Sequence, residues 1–127
     1  MSDTIHTRFV HRRLDAYRVA LELFQGVERL AAELPRGYGD HKDQLRRSAA
    51  ATVRNIAEGA NRTQPRDKAS RFTLARGECG ECDASLEMIE ILGVVDRLEV
   101  RRLRRLADRV GAMLLGLVRR ERGRAAP

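Results

Sequence analysis

A chain of 127 residues and 14.4 kDa holds one domain with one core, because a domain of this size buries roughly two-thirds of the surface its unfolded chain exposes. Its residues are 43% hydrophobic and 34% charged with 4% aromatic and three prolines, a mixture that favours helices over strands. No apolar run approaches the ~18 to 20 residues that span a bilayer, and residues 1–10 lack the apolar stretch of a signal peptide, so a cytoplasmic protein without a membrane partner is expected.

Residues 1–12 show no periodicity and read as a polar arm. From Leu14 the positions Leu14, Tyr17, Leu21 and Phe24 follow the spacing of three and four that aligns side chains on one helical face. This helix is expected to stop at Leu34, since Pro35 disfavours helical geometry before it and Gly37 and Gly39 follow. It carries a second strip, Val19, Leu23, Val27 and Leu30, so its apolar arc exceeds the ~100° a bundle member requires. Homo-oligomerisation through this second strip is one reading; a wide core-facing stripe is the other.

Asp40 is the expected N-cap of a second helix with Leu45, Ala49, Thr52, Val53 and Ile56 on its stripe, ended by residues 59–61. Thr63 or Asp67 is expected to cap the third helix, and Pro65 suits its first turn. Phe72, Ala75, Cys79, Cys82, Leu86 and Ile89 then alternate steps of three and four and are expected to face the core. A fourth helix starts near Leu98, with Val100, Leu103, Leu106, Val110, Met113 and Leu117 on its stripe; residues 123–127 are expected to fray. Four amphipathic helices joined by short turns predict an all-α fold, an antiparallel up-down-up-down four-helix bundle occupying residues 1–127.

The net charge of +7 is concentrated near the C-terminus. Residues 97–124 hold ten arginines against Glu99, Asp108 and Glu121, while the rest of the chain is balanced. Arg101, Arg105, Arg109, Arg119 and Arg120 share a narrow arc of the fourth helix, with Arg102 at its margin. Such a stripe neutralises phosphates and gives salt-dependent, largely sequence-independent binding to nucleic acid. The alternatives are a solvated face, ion pairs to third-helix acids such as Glu87 and Glu90, a docking surface for an acidic protein, or a genome-wide bias toward arginine. Few aromatics are present to stack on bases, which favours reading phosphates over reading sequence.

Other constellations point away from catalysis. Asn55, Glu58 and Arg62 share a strip of the second helix, and Arg71, Glu78 and Glu81 share one of the third; mixed charges on facing strips suit a structural polar network. A carboxylate metal site in a bundle calls for Glu-x-x-His partners, and His6, His11 and His41 lack that spacing. Cys79 and Cys82 match C-x-x-C, but mid-helix core positions suit buried, free cysteine. The sequon Asn61-Arg62-Thr63 has no role in a cytoplasmic protein. Gly77, Gly80, Gly111 and Gly116 inside helices suggest close backbone approach. No enzyme activity, cofactor or metal is expected.

Arg46-Arg47-Ser48-Ala49, Asn55-Ile56-Ala57-Glu58-Gly59 and Arg71-Phe72-x-Leu74-Ala75-Arg76-Gly77, followed by Glu81, resemble the four helix bundle protein family over about residues 9–118. The founding members of that family are encoded in intervening sequences of bacterial large-subunit ribosomal RNA genes, and the accessory variability proteins of diversity-generating retroelements are distant relatives. Val53 stands where the family usually has Pro and Glu78 where it usually has Ser. The resemblance implies a homopentameric ring of bundles without known enzymatic activity, and, through the retroelement relatives, binding to nucleic acid and to a reverse transcriptase.

Overall fold

The computed structural model describes residues 8–127. The expected arm at residues 1–12 lies partly outside the described residues, and His6 wholly so. After a 3-10 turn, Val10–Arg13, four helices follow: α1 (Asp15–Glu33), α2 (Gly39–Asn61), α3 (Pro65–Leu92) and α4 (Arg97–Ala125). Sequence dictates most of the boundaries. Pro35 and a left-handed Gly37 (φ 100°) close α1. Pro65 occupies the first turn of α3, where its missing N–H is no loss. Gly93 ends α3 in the left-handed region, its N–H reaching the carbonyls of Ile89 and Glu90. Asp96 caps α4, its Oδ1 accepting the Leu98 N–H at 3.0 Å.

Four boundaries differ from expectation. Asp40 lies inside the first turn of α2, the cap position being Tyr38, and the cap of α3 is Gln64; neither Tyr38 nor Gln64 caps with its side chain. The segment expected to fray is helical as far as Ala125, where Arg124 pairs with Glu121 at 2.9 Å. Residues 10–13 of the supposed arm form an ordered turn against α2 and α1.

Helix packing follows the chain: α1 against α2, α2 against α3, α3 against α4, and α4 back against α1. Direction is set by pairs whose numbers run oppositely. Arg47 meets Glu81 while Lys68 meets Ala60; Cys79 meets Ala107 while Glu90 meets Arg101. These pairs make α2 and α3, and α3 and α4, antiparallel neighbours, which is compatible with an up-down bundle. The core gathers Leu23, Val27 and Leu30 of α1, Leu45 and Ile56 of α2, Phe72, Leu86 and Ile89 of α3, and Val100, Leu103, Val110 and Leu114 of α4. All six expected α3 positions are buried.

The two strips of α1 exchange roles. Val19, Leu23, Val27 and Leu30, the candidate oligomer interface, are 6%, 0%, 0% and 1% exposed inside the subunit's own core. Leu14, Tyr17 and Phe24 are only half-buried and Leu21 is exposed. Both strips satisfy helical spacing, and packing chooses between them. At Gly26 the two helices approach so closely that a Cβ would collide with Leu103 Cδ2, which turns the neighbouring strip toward α4. On α4 the stripe drifts as well: Leu114 and Val118 are buried, and Met113 and Leu117 half-buried. A strict alternation of three and four has a period of 3.5 residues, whereas a straight helix has 3.6, so the pattern slips by about 20° per heptad.

The close backbone approach expected at Gly77, Gly80, Gly111 and Gly116 is absent, since a Cβ at any of these meets nothing within 4 Å. It occurs instead at Gly26 and at Gly59, where a Cβ would lie 2.9 Å from two carbons of the Phe72 ring.

Candidate functional site

The arginines of α4 divide into two populations along the bundle axis. Near the α3–α4 turn they are occupied. Arg101 reaches Glu90 at 3.2 Å, Arg102 grips Glu99 through Nε and Nη2 at 3.0 and 2.7 Å, and Arg104 spans Asp83 and Glu87 at 3.0 and 3.4 Å. The Arg102 contact holds the Glu99 carboxyl below its usual pKa, chiefly by hydrogen bonding. Arg104 thus rivets α4 to α3.

Farther along, Arg105, Arg109, Arg119, Arg120 and Arg122 are exposed, and among the described residues none makes an ion pair. Two acids share this part of α4. Asp108 is exposed, and Glu121 is buried and held by Arg124. Length explains part of the exposure. With Gly26 beside Leu103 in antiparallel register, the start of α1 comes level with about residue 114, so roughly the last three turns of α4 project beyond it.

Two arginines of α3 that sequence reasoning passed over, Arg66 and Arg76, are also exposed, without an ion pair among the described residues. Arg76 joins Arg104, Arg105 and Arg122 around an open groove of about 910 Å³ between α3 and α4, floored by Gly77, Gly80 and Gly111. No local sequence signal marks these residues, because their company is made across two helices. Of the six arginines read from sequence, Arg105, Arg109, Arg119 and Arg120 belong to the free population, while Arg101 and Arg102 are engaged with glutamates.

The polar strips of α2 and α3 separate into independent contacts. Glu58 binds Arg62 at 2.7 Å and lies 3.6 Å from Arg71; these partners, Arg62 first, hold its carboxyl below the usual pKa. Glu78 and Glu81 instead share Arg47 of α2, at 3.3 and 2.9 Å. Asn55 turns back on its own helix and donates to the Ala51 carbonyl at 2.9 Å, so it does not bridge to α3.

Cys79 and Cys82 are free and buried. Burial is the leading cause that pushes their thiols up to about 11 and about 12, the opposite of the depressed values that make a thiolate reactive at neutral pH. Among the described residues no three His, Cys, Asp or Glu side chains come together as a metal-binding group. No described helix is long and apolar enough to cross a membrane.

Comparison with curated proteins yields no match. The sequence model of one family, described as 23S rRNA-intervening sequence protein, matches residues 12–116, which takes in α1, α2 and α3 and α4 as far as Gly116. On that match the chain belongs to the 23S rRNA-intervening sequence protein family.

Proposed function

We propose that this protein is a non-catalytic, self-associating bundle that binds the phosphate backbone of nucleic acid through Arg105, Arg109, Arg119, Arg120 and Arg122 of α4. The observation that carries the reading is the division of the α4 arginines into those held by carboxylates and those that are exposed without an ion pair among the described residues. Exposed arginines already paired with carboxylates add little net field, whereas unpaired ones release counterions from phosphates when they bind. The retroelement relatives, which bind nucleic acid and a reverse transcriptase, point the same way.

The test is affinity for a short B-form DNA duplex across a salt series. Replacing Arg105, Arg109, Arg119 and Arg120 by Gln is expected to flatten the slope of log K against log salt by roughly 0.9 for each phosphate that is no longer neutralised, whereas Arg101→Gln with Arg102→Gln leaves it nearly unchanged. A response to salt that is flat in the parent protein, or no binding at low salt, refutes the reading.

Self-association rests on two apolar faces of the bundle. One is the half-buried strip of α1 at Leu14, Tyr17, Leu21 and Phe24; the other is the outer face of α3, where Leu74, Met88 and Ile91 are 50%, 49% and 80% exposed. Two different patches on one subunit suit a head-to-tail contact that closes into a ring. The pentamer that the family resemblance implies has a mass of about 72 kDa, five times 14.4 kDa, which light scattering measures directly. A monomer at high concentration removes this part of the proposal.

A further inference from the structure

We propose that Asn61 and His11 form a latch that holds residues 8–13 on the α1–α2 edge of the bundle, and that protonation of His11 opens it. This goes beyond the phosphate-binding reading and does not depend on it. Asn61 is the last residue of α2, and its side chain has three partners. Its Oδ1 accepts the Val10 N–H at 2.9 Å, while its Nδ2 donates to the Ala57 carbonyl at 2.8 Å. Those two contacts fix which end of the amide is oxygen.

The second hydrogen on Nδ2 is then directed at His11 Nδ1, 2.7 Å away. A donor faces that nitrogen, so the contact is a hydrogen bond only in the tautomer that carries its proton on Nε2 and accepts at Nδ1. The imidazole also stands edge-on to Tyr17 at 4.6 Å and near-parallel to Phe9 at 5.9 Å. The contact therefore joins the 3-10 turn to α1 and α2 at once.

Among the described residues no carboxylate forms an ion pair with the ring. On α1 the nearby ionisable groups are Asp15, Tyr17 and Arg18, and Asp15 is 3.6 Å from Arg18. At the end of α2 they are Glu58 and Arg62, paired at 2.7 Å. The segment itself contributes three cations, Arg8, Arg12 and Arg13. A proton on Nδ1 turns the acceptor into a donor that faces another donor, and it adds positive charge to an already basic segment. The latch is closed while Nδ1 carries no proton and opens when it gains one.

The experiment is hydrogen exchange at the Val10 amide, expressed as protection relative to the unfolded rate, at about pH 7.5 and about pH 5, which bracket imidazole titration. In the parent protein, protection is expected to fall about fivefold on acidification, the weight of one hydrogen bond. His11→Gln, whose oxygen accepts without titrating, keeps protection at both pH values. Asn61→Ala lacks it at both, with the Leu86 amide in the core unaffected. Asn61→Asp reverses the sign, because a carboxylate accepts from the charged ring. Protection that ignores pH in the parent protein, or that falls equally in His11→Gln, overturns the proposal.

Discussion

Replacing Gly59 by Ala and replacing Gly116 by Ala are the same chemical change, and the structure gives them opposite signs. A Cβ on Gly59 would lie 2.9 Å from Phe72 Cδ1 and Cε1 and 3.1 Å from Arg71 Cβ. Carbon contacts settle near 3.5 to 4.0 Å, so the ring must retreat by roughly 0.6 Å. Phe72 is 2% exposed and enclosed by the core, so there is little room to retreat. Overpacking of this kind costs about 1 to 3 kcal/mol, and the helical preference of Ala over Gly returns only part of ~1 kcal/mol in a last turn. The net expectation is a loss of about 1 to 2 kcal/mol. For a chain of this length the unfolding entropy is roughly 0.27 kcal/mol/K, which converts the loss to a Tm lower by about 4 to 7 °C.

Gly116 is exposed on α4 and a Cβ there meets nothing within 4 Å, so Ala is expected to raise Tm by about 2 to 4 °C. Thermal unfolding followed by far-UV circular dichroism decides both. A Gly59→Ala protein as stable as the parent, or a Gly116→Ala protein that is less stable, refutes the packing argument.

The same logic makes Gly26 and Leu103 a coupled pair. Leu103→Ala is expected to cost about 2 to 5 kcal/mol in denaturant unfolding. When it is combined with Gly26→Ala, the methyl added on α1 enters the space that the leucine vacated, giving a compensating coupling of at least about 1 kcal/mol. Additive losses would show that the two helices do not meet there. Cys79 and Cys82 are expected to resist alkylation in the native protein at neutral pH and to react fully once it is unfolded. Their raised thiol values also set a direction with pH: the folded state favours the protonated thiol, so this stability is intact below the ordinary thiol value of 9.0. It is lost progressively as pH rises through about 11 to about 12, measurable as a falling denaturation midpoint. Arg104→Gln is expected to cost about 1 kcal/mol, because its closest partners Asp83 and Glu87 are 42% and 59% exposed; a larger loss in denaturant unfolding would mean that the more buried Glu90 carboxylate depends on Arg104.

The number of helices, the turns between them and the seam of α3 were legible in the chain because their causes are local. Pro35, Pro65 and Gly93 act on their own backbone, and steps of three and four align neighbours on one helix. The family resemblance was legible for the same reason, since its motifs are short runs on α2 and α3. Three things were not local. Which strip of α1 is spare depends on how α4 meets Gly26. That Arg101 and Arg104 are held depends on where Asp83, Glu87 and Glu90 of α3 fall beside them, and Asn61 acquires its role only when residues 10 and 11 fold back onto the end of α2. The helical pattern and the place of the positive charge follow from the order of residues; the choice of buried strip and of the arginines held from a neighbouring helix follows from packing, because burial and pairing between helices are properties of two elements and periodicity is a property of one.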